Sequence, residues 1–206
     1  MSLLIAFLLA AVVLAITPGP GMAYVVARTV SGGRTEGLAS CLGTGVGGML
    51  HVLAGALGIS LVVAQSALAF SLLKYAGAAY LVYLGIRLLL RKTAAAEAVK
   101  VSSRGVRRAF FEGIAIEALN VKTALFFLAF LPQFVNAGEP PVPQLVLLGT
   151  ICVFLNTGVD VLAVFAADRI VTSSAARATR ARLLTRISGV TMLGLGAWLA
   201  LTHRQT

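Results

Sequence analysis

Two clusters of helix-interrupting residues lie deep inside apolar stretches, at corresponding places in the two halves of the chain. One is Thr17-Pro18-Gly19-Pro20-Gly21 and the other is Leu119-Asn120-Val121-Lys122-Thr123. A helix in hydrocarbon satisfies its own backbone because nothing around it can. An interruption there exposes N–H and C=O groups, and is tolerated only where protein or a water-filled cavity surrounds it. Paired interruptions in the two halves of a polytopic chain point to a transport site.

Composition supports a membrane setting. Apolar residues make up 59% of the 206 and charged residues 12%, about half the charge of an average soluble domain. The net charge of +10 could suggest nucleic acid, but its placement argues for topology instead. Apolar runs read as six spans, near 2–27, 38–64, 69–90, 110–134, 144–167 and 183–201, each long enough to cross the bilayer with some tilt. All 17 basic residues except Lys74, Lys122 and Arg204 fall in or beside the first, third and fifth connectors. The second connector, near Gln65-Ser66, is uncharged, and the fourth carries only Glu139. Positive-inside orientation makes the basic side cytoplasmic and puts both termini outside. The N-terminus lacks the basic region of a signal peptide and reads as a retained first helix.

The expected fold is therefore all-α, a polytopic membrane protein with six transmembrane helices. Residues 1–206 form a single transport domain. Its halves, about 1–90 and 110–206, are joined by a basic connector. Three spans per half force the second half to run inverted, so a 3+3 inverted repeat is expected, with discontinuous first and fourth helices.

The breaks carry the chemistry. Pro18 and Pro20 lack N–H groups, which should free the carbonyls of Leu14 and Ile16. The half-helix that follows presents N–H groups suited to a carboxylate, and the one before it presents carbonyls suited to an ammonium group. Thr17, Pro18, Gly19, Pro20 and Gly21 are thus candidate substrate-binding residues, with Asn120, Lys122 and Asn156. A lysine at mid-membrane is costly unless paired or wet. Glu117 falls on a different face of an ideal helix from Lys122, so Asp160, which shares a face with Asn156, is the expected partner. His51, on one face with Thr44 and Gly48, is a candidate proton-coupling group. The charge and coupling set is His51, Lys122, Asp160 and Glu117. The glycines of the second span read as close-packing positions. Cys41 and Cys152 form no CxxC and sit in separate spans, against metal binding and thiol–disulfide electron transfer. No cofactor or metal is expected, and no HExxH or nucleophile-elbow motif suggests an enzyme.

Four segments resemble the lysine exporter (LysE) superfamily in its homoserine/threonine-efflux (RhtB) branch: TPGPGMAYVVART, GTGVGGMLHVLAGALG, LVYLGIRLLLR and LNVKTALFFLAFLPQFV. The resemblance covers nearly the whole chain. It implies a bacterial inner-membrane exporter of a small neutral amino acid or derivative, working by proton antiport, with a passive channel or a non-transporting scaffold as the alternative. The implied partners are the amino acid, protons and membrane lipid, and a homodimer is left open; nucleic acid is not expected. Two positions depart from the family pattern. Gly21 stands where many relatives carry Asp or Asn, and Val121 is the middle of an Asn-Pro-Lys signature.

The charge distribution yields a direct test. Reporter fusions at Ser2 and Thr206 should both report a periplasmic location; cytoplasmic activity from both ends would reject the orientation.

Overall fold

The computed structural model describes residues 2–65, 67–90, 103–136, 138–170 and, within the last segment, 186, 189–190, 192–194, 196–197 and 200–201. All regular structure among the described residues is helical. Helix α1 runs Ser2–Ile16, α2 Pro20–Gln65, α3 Ala67–Leu90, α4 Val106–Ala118, α5 Val121–Leu125 and α6 Pro141–Ile170. A π-helical turn, Phe126–Phe130, and a 3-10 turn, Leu131–Phe134, extend α5. Pro20 and Pro141 open their helices at the first position, where a missing N–H costs nothing.

The first connector is far shorter than its two arginines suggest. Helix α2 passes through it and turns at one residue, Gly33, whose φ of 76° is a left-handed value open to glycine. The arms on either side fold back on each other. Val25 and Cys41 pack into one small cluster with Val164. A straight helix would hold them about 24 Å apart. Gly21 likewise faces the Thr44 methyl. The expected loop is thus a one-residue reversal. The bulk of the third and fifth connectors, 91–102 and 171–185, lies outside the described residues.

Among the described residues two helices, Pro20–Gly58 and Pro141–Ala167, are long and apolar enough to cross a membrane. The pair Val106–Ala118 and Val121–Phe134 makes a third when taken as one span bent by 44°. Large apolar side chains point outward as well as inward. Leu38, Leu42, Val46, Leu50, Leu53 and Leu57 form an exposed stripe along the second arm of α2. An apolar stripe of that length without a polar face suits lipid rather than water.

Inside, the phenylalanines of the π turn stack into the core. Phe126 and Phe130 lie 4.9 Å apart, and Phe134 continues the series at 5.4 Å from Phe130 and 5.5 Å from Phe7. Phe126, Phe127, Phe130 and Leu131 are all buried, the i, i+1, i+4, i+5 spacing of one inward helix face.

The closest helix pair is α4 and the second arm of α2. A Cβ at Gly43 would overlap the Phe110 carbonyl oxygen. One at Gly47 would lie 2.7 Å from Ile114 O, and one at Gly113 would lie 2.9 Å from Ser40 O. Backbones meet directly here, as small residues permit in membranes. The expected packing role of the second-span glycines fits Gly43 and Gly47, whereas a Cβ at Gly58 would meet nothing within 4 Å. Gly43→Ala should therefore cost about 1–3 kcal/mol of stability by overpacking, read as a lowered unfolding midpoint in detergent, while Gly58→Ala should leave the midpoint unchanged or raise it.

Candidate functional site

The first break is deep and fully buried at Thr17. Helix α1 ends because Pro18 and Pro20 supply no N–H. The Thr17 N–H reaches back to Val13 O and Leu14 O, both at 3.2 Å, and its hydroxyl donates to Val13 O at 2.6 Å. The regular ladder resumes with Ala23 N–H on Gly19 O. In the second break, Asn120 caps α5. Its side-chain oxygen accepts from the Lys122 N–H at 3.1 Å and its amide donates to Glu117 Oε2 at 3.0 Å. This is ordinary N-cap chemistry with a carboxylate added. On either side of Val121 the backbone stays bonded: Asn120 N–H reaches Glu117 O, and Ala124 N–H reaches Asn120 O.

The two breaks lie against each other. Lys122 Nζ donates to Thr17 O at 2.8 Å and to Leu14 O at 3.3 Å. Gly19 leaves room for the lysine stem, since a Cβ there would sit 3.1 Å from Cε and Nζ. Glu117 turns toward the first turn of α2, where a Cβ at Gly21 would overlap its Oε2. Thr123 donates to Glu117 Oε1 at 2.6 Å. The carbonyl end of the broken helix thus holds an ammonium group, and its amide end faces a carboxylate. Both belong to the protein itself. The Leu14 carbonyl, expected to be open to substrate, is already taken.

Asp160 is not in contact with Lys122. Among the described residues no ion pair joins them. The lysine stem follows the gap at Gly19 to the carbonyls of α1, while Asp160 lies at the first-arm side of the cavity and accepts from the Thr44 hydroxyl at 3.3 Å. Its Oδ1 is buried without a hydrogen-bond partner. His51 does not reach a carboxylate. Its Nε2 meets Glu117 O at 2.7 Å; a carbonyl only accepts, so the imidazole donates. His51 thereby serves the end of α4, where a helix leaves carbonyls unpaired.

A cavity of about 10 Å³ lies beside the breaks, roughly enough for one water. Leu14, Thr44, Gly48, Glu117, Thr123, Phe127, Cys152, Val153, Asn156 and Thr157 line it. Asn156 is where the sequence places it, on the wall. Pro18, Gly19, Pro20 and Gly21 shape the break rather than the lining. Sequence reasoning missed Thr123 and Thr157 as polar wall residues, because single threonines in apolar helices carry no spacing signal. Glu117 is the one charged side chain on the wall. No group of His, Cys, Asp and Glu suited to a metal occurs among the described residues.

Comparison with known proteins is decisive on kinship. Residues 12–203 match the LysE type translocator family. The chain belongs to that family. It is a membrane translocator and not an enzyme. An uncharacterized membrane protein of Vibrio cholerae is 34% identical over 155 residues, 74% of each chain. A homoserine/homoserine lactone efflux protein of Salmonella typhimurium is 31% identical over 157 residues, 73% of each chain. The uncharacterized membrane protein YrhP of Bacillus subtilis is 31% identical over 161 residues, covering 74% of this chain and 77% of its own. No solved structure matches.

Replacing Lys122 by Met would leave two buried carbonyls without their charged donor. The expected loss is about 1.5–3 kcal/mol, measured as reduced thermal stability in detergent.

Proposed function

We propose that the chain exports a small amino acid or amino-acid derivative, of the homoserine or threonine kind, across the bacterial inner membrane by alternating access. The observation that carries this reading is the small cavity beside the two breaks, where Glu117 is the one charged wall residue among the described residues. The Salmonella relative's name contains homoserine and its lactone. These compounds share an amine and differ in the carboxyl group, which the lactone has esterified. A carboxylate on the wall suits the feature they share. The hydroxyl and amide groups of Thr44, Thr123, Asn156 and Thr157 suit the polar remainder. The cavity is too small for such a molecule as it stands, so the conformation described is a closed one and binding requires the walls to part.

The finer reading follows from charge placement and symmetry. Six spans in a 3+3 inverted repeat surround the site, with both termini periplasmic. Export is coupled to inward proton movement, and Asp160, Glu117 and His51 are the groups assigned to it. Asp160 supports the assignment because it is a buried acidic group bonded to the wall residue Thr44, with one oxygen that no described group hydrogen-bonds. Protons and the amino acid are the soluble partners, and anionic lipid suits the basic connectors.

Reconstituted protein tests the core of the reading. Labelled homoserine should show saturable counterflow, which a passive channel or a scaffold does not give. Unlabelled homoserine lactone should compete and N-acetylhomoserine should not, because acetylation removes the cation. Glu117→Gln should lower the counterflow rate at least tenfold. Equal competition by the acetylated compound would reject an ammonium site at Glu117.

A further inference from the structure

We propose that residues 20–32, the first arm of α2, form a movable gate at the basic end of the transport path, held shut by a latch centred on Arg28. The inference rests on reading the chain as an alternating-access carrier and adds the element that moves.

The arm has a hinge at each end. At one end lies the Pro18-Gly19-Pro20 break. At the other is Gly33, in its left-handed conformation with nothing within 4 Å of where a Cβ would be. Between them the arm is held by the apolar contact of Val25 with Cys41 and Val164 and by a set of polar groups. Arg28 is 1% exposed. Its Nε donates to the Tyr24 hydroxyl at 3.0 Å, its Nη2 pairs with Glu112 Oε2, and its Nη1 lies 3.7 Å from Glu36 Oε2. The Tyr24 hydroxyl is within 3.1 Å of both Ala109 O and Glu112 Oε2. The receiving side is itself braced. Glu36 Oε1 accepts from the Ser103 hydroxyl at 2.6 Å and the Gly105 N–H at 2.9 Å. Glu112 Oε1 accepts from Arg108 at 2.8 Å and Arg104 at 3.2 Å.

These attachments differ in kind from the seam beside them. The second arm of α2 and α4 meet backbone to backbone through Gly43, Gly47 and Gly113, a contact with no second arrangement of comparable packing. The Arg28 latch sets a desolvated guanidinium against one buried carboxylate, Glu36, and one partly exposed one, Glu112. A buried ion pair gains little net stability, because its attraction mostly offsets the cost of removing both ions from water. Opening toward the basic end would rehydrate the charges, so two states of similar energy are available. The other end of the arm carries Gly21, against Glu117, so its swing reshapes the cavity wall. Movement of the arm against α4 therefore changes what faces the Glu117 carboxylate on the cavity wall, which couples gate to site.

Two native thiols report on the arm. Cys41 is buried in the cluster with Val25 and Val164, behind the latch, and Cys152 is buried in the main core beside the cavity. The full-length protein in detergent would be treated with a small maleimide and the labelling of each cysteine followed by mass spectrometry. Arg28→Gln should speed labelling of Cys41 at least tenfold and leave Cys152 within twofold of the native rate. Tyr24→Phe, which removes only the hydroxyl, should speed Cys41 about threefold, and decides the matter if the arginine variant does not fold. Unchanged Cys41 labelling would overturn the latch. Faster labelling of both cysteines would show general loosening and overturn it equally. The readout needs no transport, so a failed counterflow experiment and a failed latch remain separate results.

Discussion

The ammonium group of Lys122 on the carbonyls of Leu14 and Thr17 is the contact on which the rest of the arrangement depends. A proline-broken helix inside an apolar protein has carbonyls short of donors, here Thr17 O and a Leu14 O that shares the Thr17 N–H, and a lysine at that depth has a charge that needs acceptors. Each defect answers the other. Removing either would leave buried polar groups without partners, a larger cost than the bond itself contributes. The same contact fixes α5 against the end of α1, and with it the phenylalanine series that fills the core.

Around that contact the structure separates into a rigid and a yielding part. The glycine seam joins α4 to the second arm of α2 with no side chains between them. The first arm is joined to this body through tyrosine, arginine and two glutamates, and is bounded by residues that tolerate a change in backbone direction. Rigidity where backbones touch and adjustability where charges meet is a workable division for a carrier that opens on alternate sides, as proposed above. Family membership says that a solute crosses; this division indicates which element yields.

Much of this was legible in the residues. The two breaks, their mutual relevance and the polar character of Asn120, Lys122 and Asn156 follow from what hydrocarbon forbids. The helical class and the need for a membrane follow from composition. The partners were harder to read. Glu117 falls on the wrong face of an ideal helix, but the chain is not ideal there: the turn at Leu119–Asn120 lets its carboxylate reach Asn120, Thr123 and the first turn of α2. Arg28 reads as a topology signal because charge counting treats connectors as solvent-exposed. Its burial depends on Glu112, far away in sequence, and on a reversal at Gly33 too short to register as a loop. Long-range pairing leaves no mark in local periodicity.

The Gly21–Glu117 contact links two distant positions in a way that bears on the family's divergence. The carboxylate occupies the volume that a side chain at residue 21 would need, and it supplies the negative charge that an aspartate there would otherwise bring. One acid serves the break, from one helix or from the other. A side chain at position 21 would displace the Glu117 carboxylate from the first turn of α2 and, through it, disturb the bonds that Asn120 and Thr123 make to it, so the identity of residue 21 sets the geometry of the second break from the first.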